Sequence, residues 1–464
     1  MSEGTRIVIL GGGPGGYVAA IRAAQRGADV TCVEKDLVGG TCLNRGCIPT
    51  KALLGSVDAL HKAREGDEFG FKVEGEIKPD FARMYERKDD VARKMREGVE
   101  GLFKRHMIKL VRGHGHIVAE GKIEVETEDG KDTLEYDKLI IATGSEPAQL
   151  PFFDFDQPTV LDSTDALRLT ELPETLLIIG AGVIGCEFAG IFSELGTKIT
   201  MVEMMPQVLP LEDKRLAKQF QSIFKKRGID IRLKTRVEGI AEYGENYITA
   251  NVEGGEQITA EKMLVSIGRT PNSKDIGLEV LGIETDQRGY IMVNEKLETG
   301  AANVYCVGDV NGGIQLAHVA SHEGLVAVEN CMGGEVKRDL RAVPSCIYTM
   351  PEIASIGLTE DQAKDEGFKP VTGSFRMAGL GKALAIGEDQ GYIQIVADED
   401  TDRVLGANMM GAHVTDLIHE IGLAIEQELK VEDIINMIHA HPTIAEGVLE
   451  AAEDVHGEAI HFFR

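Results

Sequence analysis

The stretch TRIVILGGGPGGYVAAIRAAQRGADVTCVE near the start of the chain returns in altered form as LLIIGAGVIGCEFAGIFSELGTKITMVE. In both copies a glycine and a later acid lie 23 positions apart, Gly11 to Glu34 and Gly180 to Glu203. A β-rich apolar run, a glycine turn, a helix of apolar spacing and a second apolar run closed by an acid form half of a doubly wound α/β nucleotide fold. Each residue type has its own task. Gly11 makes the tight turn, Gly13 lets the backbone approach a pyrophosphate, and Gly16 lets helix and strand pack closely, with Pro14 and Gly15 between them. Gly180, Gly182, Val183, Ile184 and Gly185 repeat the arrangement. The helix start that follows each turn stabilises phosphate charge. Glu34 and Glu203 can accept hydrogen bonds from a ribose diol. Two complete units imply two dinucleotides. At the second, Glu203 would face a 2′-phosphate, and the following MMPQV offers no arginine to offset it, so NAD is expected rather than NADP.

A chain of 464 residues is too long for one core. A charged helical stretch over 80–106 follows the first copy, and β-rich segments then run to KLIIATGS. The second copy is followed by strands ending at MLVSIGR, then by NVYCVGDV and a helix from about Ala317. From VPSCIYTMPEIASIG the texture changes: short strands (GYIQIVAD, VLGANMMG) precede helices expected over 416–428, 431–437 and 444–455. The fold class is therefore α/β, with two Rossmann-like dinucleotide-binding domains, a central segment and a C-terminal α+β domain. The boundaries fall at 1–148, 149–270, 271–342 and 343–464.

A net charge of −27 opposes binding to nucleic acid or acidic membranes, and suits solubility or a salty cytoplasm. No apolar run approaches the ~20 residues of a membrane span. MSEGTRIVIL lacks the basic start and long apolar run of a signal peptide, so a cytoplasmic protein is expected.

The seven cysteines are scattered, which is not a secreted disulfide framework. Two of them, Cys42 and Cys47, lie close together in GGTCLNRGCIPTKALL. Zinc would want CxxC spacing and a second ligand pair, and neither is present. A staple across so short a loop stabilises little. Packed thiols would want apolar neighbours, but Asn44, Arg45 and Gly46 intervene. Pro49 suits a first helical turn, so Cys47 sits at or just before a helix start that favours a thiolate. Lys51 follows four residues on, on the same face. Gly39 and Gly40 allow close approach to a cofactor. The pair reads as a redox couple. Near the C-terminus, Pro442 is expected to begin a helix that carries Glu446 about one turn along, placed to orient His441 and make it a better base.

With these motifs in order, together with IIATGS, SIGRTPN, LAHVASHEG and HAHPTIAE, nearly the whole chain resembles the pyridine nucleotide–disulfide oxidoreductases. It is most similar to those members that oxidise dihydrolipoamide to lipoamide. The resemblance implies FAD in the first fold, at Gly11–Gly16, Glu34, Lys35, Gly40, Thr41, Lys51, Gly115, Thr143, Gly144, Ser145, Asp309, Leu316, Ala317 and His318. It implies NAD in the second, at Gly180–Gly185, Glu187, Glu203, Val237 and Gly268. Glu187 matches the acid paired with Lys51 beside the flavin, Cys42 the interchange thiol, Cys47 the thiol facing the flavin, and His441 with Glu446 the base, His439 being supporting. No metal is implied. The resemblance further implies a homodimer with the active site shared across the interface, and a lipoyl-bearing protein of a 2-oxo acid dehydrogenase or glycine cleavage complex as partner. No lipoyl domain is seen in the chain, so the substrate arm is expected from another. Cys306 stands where alanine is usual and reads as a buried small residue. Val319 replaces a frequent lysine, and GLGKALAIGE replaces a segment that more often carries Asn and Arg. Glutathione-type reductases share the fold but usually carry arginines for NADPH. A mercuric reductase would end in a cysteine pair, whereas this chain ends EAIHFFR. A diaphorase or scaffold subunit would not need the thiols or His441.

Overall fold

A computed structural model describes residues 4–461. The chain divides into two units, one formed by residues up to Leu172 with Leu264–Arg338, the other by Pro173–Met263 with the residues from Asp339 onward. Both units are therefore discontinuous in sequence.

The first unit is built on five parallel strands in the order Val304–Cys306, Lys138–Ile141, Arg6–Leu10, Asp29–Glu34, Lys109–Arg112. Ile7, Ile9, Leu139, Ile140 and Ile141 are fully buried, as strands covered on both faces require. The helix Pro14–Gln25 packs on the helix Ala317–Cys331. Their approach is so close that a Cβ on Gly324 would lie 2.6 Å from the Gly15 carbonyl oxygen. The charged stretch forms the helix Phe81–Arg105, started by Asp80, whose carboxylate accepts from the Arg83 amide at 3.0 Å. Antiparallel strands His114–Ala119, Lys122–Thr127 and Gly130–Glu135 form a separate sheet.

In the second unit, Thr175–Ile179, Lys198–Glu203 and Asp230–Leu233 run parallel, and the helices Val183–Leu195 and Lys214–Lys226 connect them. An antiparallel sheet of Val237–Tyr243, Ile248–Val252 and Glu256–Ala260 follows. The C-terminal part is a five-stranded antiparallel sheet in the order Ser345–Ile347, Glu352–Gly357, Val404–Gly411, Tyr392–Asp398, Pro370–Arg376. The helices Val414–Glu426 and Glu446–His456 pack on it over a core that includes Ile393, Met409, Ile418 and Val448.

Two expectations about helix limits need correction. The helix expected from 416 begins at Val414 and stops at Glu426, because Glu428 takes a left-handed conformation with φ of 53°. Pro442 does not begin a helix either. Residues 440–445 turn first, and the helix starts at Glu446.

Candidate redox site

The two glycine turns match down to single hydrogen bonds. Gly11 (φ 103°) and Gly180 (φ 97°) are both left-handed, and a Cβ on Gly11 would fall 2.2 Å from the Ala142 carbonyl oxygen. A Cβ on Gly16 would sit 1.8 Å from the Gly11 oxygen, so only glycine lets helix and strand close here. Glu34 accepts from the Gly12 amide at 2.7 Å and the Asp36 amide at 2.8 Å. Glu203 accepts from the Ala181 and Met205 amides, both at 2.8 Å. Each acid thus locks its own turn and keeps lone pairs for a ribose. Gly182, the N-cap of Val183–Leu195, has open space where its Cβ would be. Gly185 and Glu187 lie buried on that helix, and Val237 opens the antiparallel sheet.

At the carboxyl ends of Arg6–Leu10 and Asp29–Glu34 the first unit holds a cavity of about 390 Å³, lined among others by Gly11, Glu34, Lys35, Gly115, Thr143 and Asn272. This is where open α/β sheets take their ligands. A Cβ on Gly115 would lie 2.5 Å from Leu10 Cδ2, so the cavity wall has no room for a side chain there. Thr143 is held by its hydroxyl on the Asn272 carbonyl at 2.7 Å, and Gly144 is left-handed. Ser145 Oγ donates to Asp309 at 2.5 Å, and Leu316 caps the helix that begins Ala317, His318. The glycine cradle, the ribose acid and the hydroxyl–carboxylate cluster fit a dinucleotide.

Asp309 has a partner that sequence reasoning missed. The Arg269 guanidinium reaches Ser145 Oγ (2.6 Å), the Ser145 carbonyl (2.7 Å) and Asp309 (3.7 Å). Burial pulls its affinity for a proton down, while the charges of Asp309 and Cys47 pull it up. The signal was present in SIGRTPN, but its placement depends on the Arg269–Pro271 strand pairing with Ser145–Pro147. Gly268, expected at the NAD site, precedes Arg269 in the first unit, where its carbonyl accepts from Ala148.

The thiols sit on two consecutive helices. Cys42 lies in Gly40–Arg45 and Cys47 is the first residue of Cys47–Arg64, as Pro49 implied. Gly39 (φ 95°) and Gly40 (φ 57°) turn the chain in, and a Cβ on Gly40 would fall 2.7 Å from Gly13 Cα. The thiol segment is thus pressed against the phosphate turn. Asn44 fixes it by donating to the Leu37, Val38 and Gly40 carbonyls, and Gly46 fits against the Thr41 carbonyl. Cys42 and Cys47 lie in hydrogen-bond contact with each other. That hydrogen bond and burial hold Cys42 far above the ordinary thiol range, while Lys51, on the same helix as Cys47, pulls it down. Cys47 is exposed and Cys42 half-buried. Cys32, Cys186, Cys306 and Cys331 are buried, and burial pushes Cys306 well up, which leaves it a packing residue.

In the second unit His441 Nδ1 lies 2.8 Å from Glu446, whose other oxygen accepts from the Thr443 amide at 2.9 Å. Partial burial works to raise the Glu446 carboxyl, but the Thr443 amide and the His441 ring outweigh it and hold it below the usual range. The dyad forms because Glu446 opens its helix and reaches back to the turn, rather than because it lies a turn inside. The His441 side chain is 79% exposed within one chain. His439 is enclosed and bonded to Glu420 at 3.1 Å. Among the described residues no cluster suits a metal ion, and no helix is long and apolar enough to cross a membrane.

A paired dithiol pressed against a dinucleotide turn, with a second dinucleotide turn in the same chain, defines a flavoprotein of the disulfide-reductase class. The chain belongs to the pyridine nucleotide-disulphide oxidoreductases: that family's model matches residues 5–324, and its dimerisation-domain model matches 343–452. It accordingly binds FAD and NAD(H) and carries the family's dimerisation domain. A dihydrolipoyl dehydrogenase of Bacillus subtilis is 45% identical over 98% of this chain and 99% of its own length. One from Halobacterium salinarum is 40% identical over 99% and 98%. The crystal structure of LpdA from Mycobacterium tuberculosis superposes with a TM-score of 0.91 at 27% identity, covering 97% of this chain and 99% of that one.

Proposed function

We propose that this chain oxidises protein-bound dihydrolipoyl groups to lipoyl groups and passes the electron pair to NAD+, the activity of a dihydrolipoyl dehydrogenase. The observation that carries the reading is the Cys42–Cys47 contact beside the Gly11–Gly16 turn. His441 is the base, since Glu446 holds Nδ1 and leaves Nε2 for the substrate. It takes a proton from one substrate thiol, and the thiolate attacks Cys42 of the oxidised pair. A substrate–Cys42 disulfide forms and Cys47 leaves as a thiolate, with the Arg269 charge acting on it. The second substrate thiol loses its proton and attacks its neighbour, closing the lipoyl disulfide. Cys42 leaves and takes up a proton, so the substrate has lost two electrons and the cysteines have gained two. Bound FAD supplies the carrier through which that pair reaches NAD+ as a hydride. Lys51 and Glu187 keep the roles that the family resemblance gives them.

On this reading 1–148 is the FAD-binding part, 149–270 the NAD-binding part, 271–342 the central part and 343–464 the dimerisation part. The working form is a cytoplasmic homodimer whose sites are completed by the partner chain, serving a lipoyl-bearing subunit of a 2-oxo acid dehydrogenase or glycine cleavage complex. Anaerobic addition of dihydrolipoamide to the yellow protein should change its visible absorbance, and NAD+ should then yield NADH. Faster turnover of glutathione disulfide with NADPH would refute the substrate assignment.

A further inference from the structure

Apart from the dinucleotide turns and the thiols, the second unit has an open surface pocket of about 260 Å³. One wall is the start of the helix Lys214–Lys226, which contributes Arg215 and, a turn further on, Gln219. The other is the end of a strand pair, where Arg376 stands opposite Tyr392 in register. Arg215 lies over the Tyr392 ring, 4.9 Å from its centre.

The charges are unusual for this molecule. The sequence carries 76 acids against 49 lysines and arginines. Yet among the described residues neither Arg215 nor Arg376 has a carboxylate at ion-pair distance. Neighbouring acids are engaged elsewhere or stand off. Asp213 accepts the Arg215 and Leu216 amides on one carboxylate oxygen, and Asp361 pairs with Lys214 at 2.6 Å. Asp389 lines the cavity without closing on either guanidinium. Tyr392 is only 2% exposed and gives the Arg215 guanidinium a fixed ring to lie over.

We propose that this cavity binds a small oxyanion, a phosphate or carboxylate group, held by the Arg215 and Arg376 guanidiniums with Gln219 as a further donor. Guanidinium forks suit the planar or tetrahedral oxygens of such groups. The volume lies below the usual range for drug-sized ligands, so the ligand is a free anion or a small metabolite. Arg215 belongs to the nucleotide-binding part of this unit and Arg376 to its C-terminal sheet. Occupancy therefore ties the two together and raises thermal stability by mass action.

The test uses the FAD-loaded protein with saturating NAD+, so that the glycine turns are filled. Inorganic phosphate is titrated at constant ionic strength, with chloride as the balancing anion, and Tm is read. Malonate titrated in parallel tells a carboxylate from a phosphate preference. A saturable rise is expected with at least one of the two. Arg215→Gln and Arg376→Gln should each weaken it by about tenfold or more, the loss of one charge-assisted contact. Arg376→Lys should keep part of it. Dihydrolipoamide turnover without added anion should stay near wild type in Arg376→Gln, which also shows that the variant folds. If neither anion outdoes chloride, the cavity holds only water and the proposal is wrong. It also fails if the saturable rise survives in both glutamine variants.

Discussion

At the scale of single residues, the proposed chemistry gives the His441–Glu446 pair the proton transfer. Replacing His441 with glutamine should lower lipoamide turnover by roughly 10²–10⁴-fold, the usual worth of a positioned base, and leave NADH oxidation by an artificial dye largely intact. Glu446→Gln should cost less, because it orients the ring without taking the proton. Its carboxyl is held below the ordinary value of 4.5, so the stability it adds is present above that value and lost as pH falls through the lowered one. The Glu446→Gln protein should unfold at lower urea than wild type at neutral pH, and the gap should close in acid. Arg269 belongs to the same scale. Arg269→Gln leaves Ser145 and Asp309 without their guanidinium and removes a positive charge that acts on Cys47. It should weaken FAD retention on dilution and shift the pH dependence of Cys47 alkylation upward, because the thiolate loses a counter-charge. Both outcomes are read on one protein, by flavin fluorescence and by mass of the alkylated peptide.

At the scale of elements, the sequence displayed what repeats locally and hid what meets over distance. The glycine-to-acid spacing and the proline after Cys47 announced both turns and the helix start, since each is a short-range steric demand. Arg269 stayed hidden because its partner Ser145 is 124 positions away and is reached only through strand pairing. The start of the last helix was misplaced because Pro442 after a histidine reads as a first helical turn, while a turn held by Glu446 and the Thr443 amide precedes the helix instead. Glycine at position 40 offers a direct check on element packing. Its Cβ would meet the phosphate turn at 2.7 Å, in a left-handed conformation. Gly40→Ala should therefore release FAD far more readily than wild type while the second unit keeps its NAD affinity, as measured by gel filtration and NADH fluorescence. Glu212 offers another. It is half-buried against the hydroxyls of Ser345 (2.9 Å) and Ser355 (2.7 Å), joining the loop after Glu203 to the C-terminal sheet. Burial raises its carboxyl above 4.5 although both serines pull it down. A raised acid binds its proton more tightly when folded, so its contribution is full below 4.5 and lost as pH rises through the raised value. Glu212→Gln should flatten the fall of the urea midpoint across that window.

At the scale of the whole molecule, the question is where His441 works. Within one chain its ring is 79% exposed, and Ile438 beside it is 96% exposed. A base and an apolar side chain turned outward together, on a domain matched by a dimerisation model, suit a site finished by a second copy. Hybrid dimers decide it. A Cys42→Ser chain and a His441→Gln chain are each inactive as homodimers on the proposed chemistry. When they are unfolded together, refolded and separated by distinct tags, the hybrid carries one site with both defects and one with neither, provided that thiols and base come from different chains. Such a hybrid should recover about half the wild-type turnover per dimer. If thiols and base came from the same chain, each site would keep one defect and the hybrid would be as inactive as its parents.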